Sequence, residues 1–192
     1  VNPNKILHMF VRNQNTDFYF QIYAPESNVI FDYMLTNDLH NSPKTLILGI
    51  GNTLLTDEGI GIHVMRELAD SQLLQGNIEF LDGGTLSFTL ASPIEECQQF
   101  IVIDASEISS KPGTVQVFEN EQMDHFISTG NKKSVHEVGL VDVMSIAMLS
   151  GRLPPKRALI GIQPDILDWG EAPTGPVQQA IPVACQHVRD LL

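Results

Sequence analysis

Glu58, Asp104 and His136 are residue types that can do chemistry together: two carboxylates and one imidazole. Glu58 follows "LILGIGNTLLTDEGIG" (46–61) almost to its end, where an apolar run passes into glycines and then into two adjacent acids. Asp104 closes the apolar run of "QFIVIDA" (99–105), and Asp82 closes that of "NIEFLDGG" (77–84). If these runs are parallel strands, their carboxyl ends share one crest of the sheet, where ligands bind in such folds. Carboxylates gathered there repel one another unless a cation or a shared proton offsets them. His136 stands in "KKSVHEVGL", where Ser134 and Glu137 form an S-x-x-E capping box that places it in the first turn of a helix. A cation is disfavoured at a helix N-terminus, so the ring tends to be neutral and able to ligate a metal. Two oxygens and one imidazole suit a borderline divalent ion such as nickel, zinc, iron or manganese, with positions left for water or substrate.

Simpler readings compete with each residue. Thr56 can N-cap the following helix, and Asp57 and Glu58 then favour the positive end of its dipole. That reading leaves two glycines and Asn52 unexplained, since they suggest a backbone held in special conformations. Asp104 can cap a turn through Ser106, and Asp82 can close its glycine turn in the same way. His136 alone reads as an exposed histidine, and His63, inside the first helix, reads as surface. The glycine turn is a poor dinucleotide fingerprint, because Gly49-Ile50-Gly51-Asn52-Thr53-Leu54 lacks the third glycine and the acids beyond it repel a pyrophosphate. HExxH and GxSxG do not occur, and Cys97 and Cys185, far apart and outside any CxxC, read as reduced core thiols. The residues alone point to a metal-dependent hydrolase or a metal-binding protein.

The elements that must position these residues follow from periodicity. "TLILGI" (45–50), "NIEFLDGG" (77–84), "QFIVIDA" (99–105) and "RALIGIQP" (157–164) read as buried strands, and "GTVQVFE" (113–119) alternates Val115 and Val117 against Gln116 and Phe118, as an edge strand does. Helices are predicted over 59–74, 87–97, 134–151 and from Pro176 to Leu192, with Pro182 near the start of the last. The alternation predicts a three-layer α/β fold: a mostly parallel twisted sheet, helices on both faces and one antiparallel edge strand. Residues 44–192 form this single domain. Residues 1–43, which hold all three tyrosines and four of the nine phenylalanines, are an N-terminal extension with a strand or two in "DFYFQIYAPESNVIFDYM". They are either an added arm that packs on the domain or a partner, or upstream sequence preceding a start at Met34.

Charge narrows the partners. Eleven Lys and Arg against 23 Asp and Glu give a net −12, which phosphate backbones and anionic lipid repel, so neither nucleic acid nor membrane is an expected partner. No apolar run approaches the ~20 residues of a membrane helix. "VNPNKILHMFVRNQ" lacks the apolar core of a secretory signal, so a cytoplasmic address is expected.

Taken together, "GIGNTLLTDEGIGIHVMREL", "LDGGTLSFTL", "IVIDASE" with "KPGTVQVF", "SVHEVGLVDVM" and "LIGIQPDILDWG" resemble, in order and spacing, the nickel-iron hydrogenase maturation endopeptidases. The resemblance runs from about residue 44 to the C-terminus. It implies a doubly wound α/β peptidase that removes the C-terminal extension of the hydrogenase large-subunit precursor after nickel insertion. It also implies that Glu58, Asp104 and His136 contact the metal and that Asp82 matters for activity. Nickel is then supplied by the substrate, with zinc or cadmium able to occupy the site in vitro. The segment 162–170 looks most like peptidases serving membrane-bound uptake-type hydrogenases. The alternative is a nickel-binding maturation chaperone without peptidase activity.

Overall fold

Short apolar runs bounded by polar turns become buried strands when helices cover both faces of a sheet. The computed structural model describes residues 6–13, 16–23, 44–71, 73–84, 88–129 and 135–192, with backbone alone at 6–13, 16–23, 88 and 135–138. The chain divides into two units, Val1–Ser42 and Pro43–Leu192. In the first, β1 (Ile6–Asn13) and β2 (Thr16–Tyr23) pair antiparallel, with Ile6 opposite Tyr23 and Asn13 opposite Thr16. One strand thus lies upstream of the stretch expected to carry them, and residues 24–43 lie outside the described residues.

In the second unit β3 (Thr45–Gly49), β4 (Ile78–Asp82), β5 (Gln99–Ala105), β6 (Val115–Glu119) and β7 (Lys156–Ile162) form one sheet in the order β4-β3-β5-β7-β6. All pairs are parallel except β6 on β7, which is antiparallel at the edge, as the alternation predicts. The helices are α1 (Ile60–Asp70), α2 (Ala91–Glu96), α3 (Glu121–Thr129), α4 (Val135–Leu149) and α5 (Gly175–Leu191). From β3 the chain steps outward to β4 and then returns to β5 on the other side. The topological switch point therefore lies between the carboxyl ends of β3 and β5.

Side chains alternate across each strand, and two cores follow. Ile47, Ile101, Ile103, Ile160 and Ile162 pack with α1 and α5; Leu46, Leu48, Phe100, Val102 and Leu159 pack with α2, α3 and α4. Each such buried side chain contributes roughly 1.5–3 kcal/mol. Among the described residues no helix is long and apolar enough to cross a membrane.

Several expectations need correcting. Helix α1 is shorter than 59–74, and a 3-10 turn, Thr56–Gly59, precedes it. The segment 87–97 splits into a 3-10 turn, Phe88–Leu90, and α2. Pro182 lies well inside α5, at an exposed position. Helix α3 was not predicted. It buries Met123 and Ile127, and its Phe126 stacks on Phe118 with ring centroids 4.1 Å apart, so the face that Phe118 shares with Gln116 is covered at Phe118. Arg157 at the start of β7 anchors α3, donating from Nε to Asp124 Oδ1 at 2.8 Å and from Nη2 to Oδ2.

Candidate functional site

The site begins with the glycine turn after β3. Ile50 N–H donates to the Ile103 carbonyl, Gly83 N–H to Gly49, and Gly51 N–H to Gly84, each at 2.9 Å. The turn is thereby clamped between its two neighbouring strand ends. At Gly51, where φ is +135°, an added Cβ would lie 1.9 Å from the Glu58 carbonyl oxygen. At Gly61 it would lie 2.1 Å from that of Ile103. These glycines serve close backbone approach, and no phosphate is needed to explain them. Asn52 Oδ1 accepts from Leu54 N–H at 3.0 Å, and Glu58 N–H donates to Leu55 at 2.9 Å, which closes the turn around Glu58. The Glu58 side chain is half-buried.

Thr56 is not an N-cap, and Asp57 is not an exposed helix-start acid. The N-cap of α1 is Gly59, without a side-chain bond. Asp57 is fully buried: Oδ2 accepts from Asp165 N–H, Ile166 N–H and the Thr174 hydroxyl, all at 2.9 Å, and Oδ1 accepts from Thr174 N–H at 2.6 Å. Thr56 has φ +39° and donates its hydroxyl to the Ile166 carbonyl at 2.5 Å. Its N–H reaches the Gly170 carbonyl at 2.7 Å. Together they strap the loop 163–174 onto the Glu58 turn. Sequence reasoning missed this junction because the partners stand more than a hundred residues away.

Of the three crest carboxylates, Asp82 and Asp104 leave the sheet on opposite faces. Gly49 pairs with Asp82 on one side and with Ile103 on the other, so Asp104 sits one residue out of phase with Asp82. Asp82 shares its face with Ile78 and Phe80, which pack toward α1, and its Oδ2 accepts from Arg66 of α1 at 3.1 Å. Asp104, only 2% exposed, shares its face with Phe100 and Val102, the side covered by α4. The sheet therefore separates Asp82 from Asp104. Its glycine-turn reading holds, since Asp82 Oδ1 accepts from Gly84 N–H at 3.0 Å. The turn expected through Ser106 is replaced by a ladder bond, Ser106 N–H to the Ile162 carbonyl at 2.9 Å.

His136 is brought to the same crest by connectivity. Helix α4 precedes β7 and ends seven residues before Lys156, so it runs back along the strands. Its 15 residues span about 22 Å, matching the ~23 Å of a seven-residue strand, which sets its first turn beside the strands' carboxyl ends. Ser134 and the side chains of His136 and Glu137, hence the capping box, lie outside the described residues. Among the described residues no three His, Cys, Asp or Glu stand close enough to hold a metal. His63, expected at the surface, is half-buried, with Nε2 enclosed and lacking a hydrogen-bond partner. Burial pushes its pKa down, and the Arg66 charge adds to the shift.

The loop after β7 completes the crest. Gln163 is buried, and its Oε1 accepts from Ile108 N–H at 3.0 Å and Ser110 N–H at 3.2 Å, joining the loops that follow β5 and β7. Beyond it, Ile166, Leu167 and Trp169 are exposed, as is Leu54 on the turn to which this loop is strapped.

Residues 62–190 match the family profile described as hydrogenase maturation protease. The hydrogenase expression/formation protein HupD of Rhizobium leguminosarum bv. viciae is 40% identical over 147 residues, which cover 76% of this chain and 72% of that protein. The hydrogenase 2 maturation protease of Escherichia coli (strain K12) is 35% identical over 147 residues, covering 76% and 88%. Among solved structures, the hydrogenase maturating endopeptidase HybD from E. coli matches with a TM-score of 0.71 at 34% identity, covering 76% of this chain and 89% of that one.

Proposed function

The chain belongs to the hydrogenase maturation protease family and is an endopeptidase, and from that premise we propose which bond it cuts and how. Its substrate is the large-subunit precursor of a nickel-iron hydrogenase, and the bond is the one that releases the C-terminal extension after nickel insertion. Glu58, Asp104 and His136 contact the nickel that the precursor carries. The observation supporting this is Asp104 itself, buried at the switch point on the α4 face and one residue beyond Ile103, whose carbonyl holds the start of the turn that carries Glu58. The donor set fits, since two carboxylates and an imidazole leave positions for ligands from the substrate. A metal so held polarises a nearby carbonyl or activates water.

The chain's own residues then do three things. The Glu58 turn and Asp104 present oxygens on a backbone that the ladder bonds at Ile50 and Gly51 keep fixed. Asp82 acts as a positioning residue: it orders Gly84, whose carbonyl holds Gly51, whose missing side chain admits the Glu58 carbonyl. Asp57 anchors the strap from the other side. A cytoplasmic address belongs to this reading, supported by two buried free thiols, Cys97 and Cys185.

The test incubates the purified chain with nickel-loaded and nickel-free precursor and follows the precursor's intact mass. Loss of the C-terminal extension from the loaded form alone is expected. Loaded precursor that keeps its full mass overturns the proposal, and equal cutting of both forms overturns the requirement for nickel.

A further inference from the structure

We infer that the exposed apolar edge formed by Leu54, Ile166, Leu167 and Trp169 is a docking surface for apolar side chains of the precursor next to the bond that is cut. The inference rests on the endopeptidase reading above and names the part of the site that selects its substrate.

Four large apolar side chains on two loops are 50%, 48%, 57% and 79% exposed, in the order given. Scattered singly, such residues need no explanation, but here they share one small assembly. Gly170 N–H donates to the Leu54 carbonyl at 3.0 Å, Thr56 N–H to Gly170 at 2.7 Å, and Leu55 and Gly170 form a parallel bridge. The Asp57 carboxylate holds the backbone of Ile166 directly. A loop tied down at so many points presents these side chains to solvent at fixed positions. Such preorganisation lowers the entropic cost of binding. A rigid, exposed tryptophan is the residue type that most often dominates a binding interface.

The occupant follows from continuity. Leu54 stands four residues before Glu58, and Glu58 N–H donates to Leu55, so the edge and the proposed metal contact belong to one turn. An endopeptidase positions polypeptide, and the complement of a Trp, Leu and Ile edge is an apolar stretch of that polypeptide. Asp165, Asp168 and Glu171 are exposed around it as a polar rim, which adds selection against acidic residues flanking the docked stretch.

The experiment compares the full chain with the Leu167→Ser/Trp169→Ala variant on nickel-loaded precursor. Its KM is expected to rise about tenfold or more, with kcat within about twofold, the pattern of lost uniform binding. The thermal midpoint stays where it was, because both side chains are exposed, and Trp169→Leu recovers most of the lost affinity. Met148→Ser/Leu149→Ser removes equally exposed apolar groups at the far end of α4 and leaves KM unchanged. An unchanged KM in Leu167→Ser/Trp169→Ala overturns the proposal, as does an equal rise in the α4 variant. Loss of a dimer with KM unaffected assigns the edge to a second copy of the chain and overturns it too. A wild-type chain that cuts nothing instead removes the function proposed above, and this surface with it.

Discussion

The Cα of Gly51 stands so close to Glu58 that any side chain there would meet the Glu58 carbonyl oxygen at 1.9 Å. Gly51→Ala must therefore displace the turn that carries Glu58, and its φ of +135° adds strain of its own. A loss of about 3 kcal/mol or more is expected, with cleavage abolished even where the variant remains folded. Gly76→Ala is the control. It also has a positive φ, +119°, but its Cβ would meet nothing within 4 Å, so the loss is backbone strain alone, about 1–3 kcal/mol, and cleavage survives. Urea unfolding and a mass assay on the same preparations check both.

Asp57→Ala removes one acceptor group from four donors, the N–H groups of Asp165, Ile166 and Thr174 and the Thr174 hydroxyl. Leaving donors unmet costs about 1–3 kcal/mol each at worst, so a total of at least ~2 kcal/mol is expected. Thr174→Val removes only the hydroxyl and costs about 1 kcal/mol. Hydrogen exchange should show amides 165, 166 and 174 losing protection in Asp57→Ala, while the β5 amides keep theirs.

Two partners of Asp82 can be told apart by cleavage rate. Its pair with Arg66 is half-exposed and contributes about 0–1 kcal/mol, so Arg66→Ala should cut almost as fast as wild type. Asp82→Asn keeps an oxygen for Gly84 N–H and should lose little more. Asp82→Ala releases the glycine turn, and its rate should fall by roughly tenfold or more. Comparable losses in Arg66→Ala and Asp82→Ala would mean that the ion pair, and not the turn, is what activity requires.

His63 sets a pH dependence with a definite sign. Its pKa in the fold lies below the ordinary value of 6.5, because burial disfavours the charged ring. The folded chain thus binds fewer protons than the unfolded one, so its stability is complete above that value and declines as the pH falls through it toward the lowered pKa. Thermal midpoints of wild type should drop on going from about pH 7 to pH 5 more steeply than those of His63→Gln. Parallel curves for the two proteins would exclude the effect.

Most of the sheet was legible because buried strands announce themselves: 45–50 and 99–105 match β3 and β5 to within a residue. The β6 edge was legible too, but not the cover over Phe118, since its partner Phe126 lies on α3. Helix α3 carries the i, i+3, i+4 spacing of Met123, Phe126 and Ile127, but nine residues give periodicity little room. Which face Asp82 and Asp104 occupy could not be read, because both close an apolar run. Only the pairing of Gly49 with Asp82 and Ile103 reveals the one-residue offset, and such an offset sends a side chain to the opposite face. Asp57 and Glu58 are adjacent acids alike in sequence, and only burial by distant residues separates them.

The strap also has a timetable. Asp57 and Thr174 are 117 residues apart, so a ribosome exposes the Glu58 turn on the order of ten seconds before its anchor. Until residues 163–174 arrive, a nascent chain can pair β3 with β4 and β5 but cannot fix the turn against Thr174 or present the Trp169 edge. A chain clipped before Thr174 is in the same condition. The Glu58 turn is thereby left without its anchor until residues 163–174 have been made.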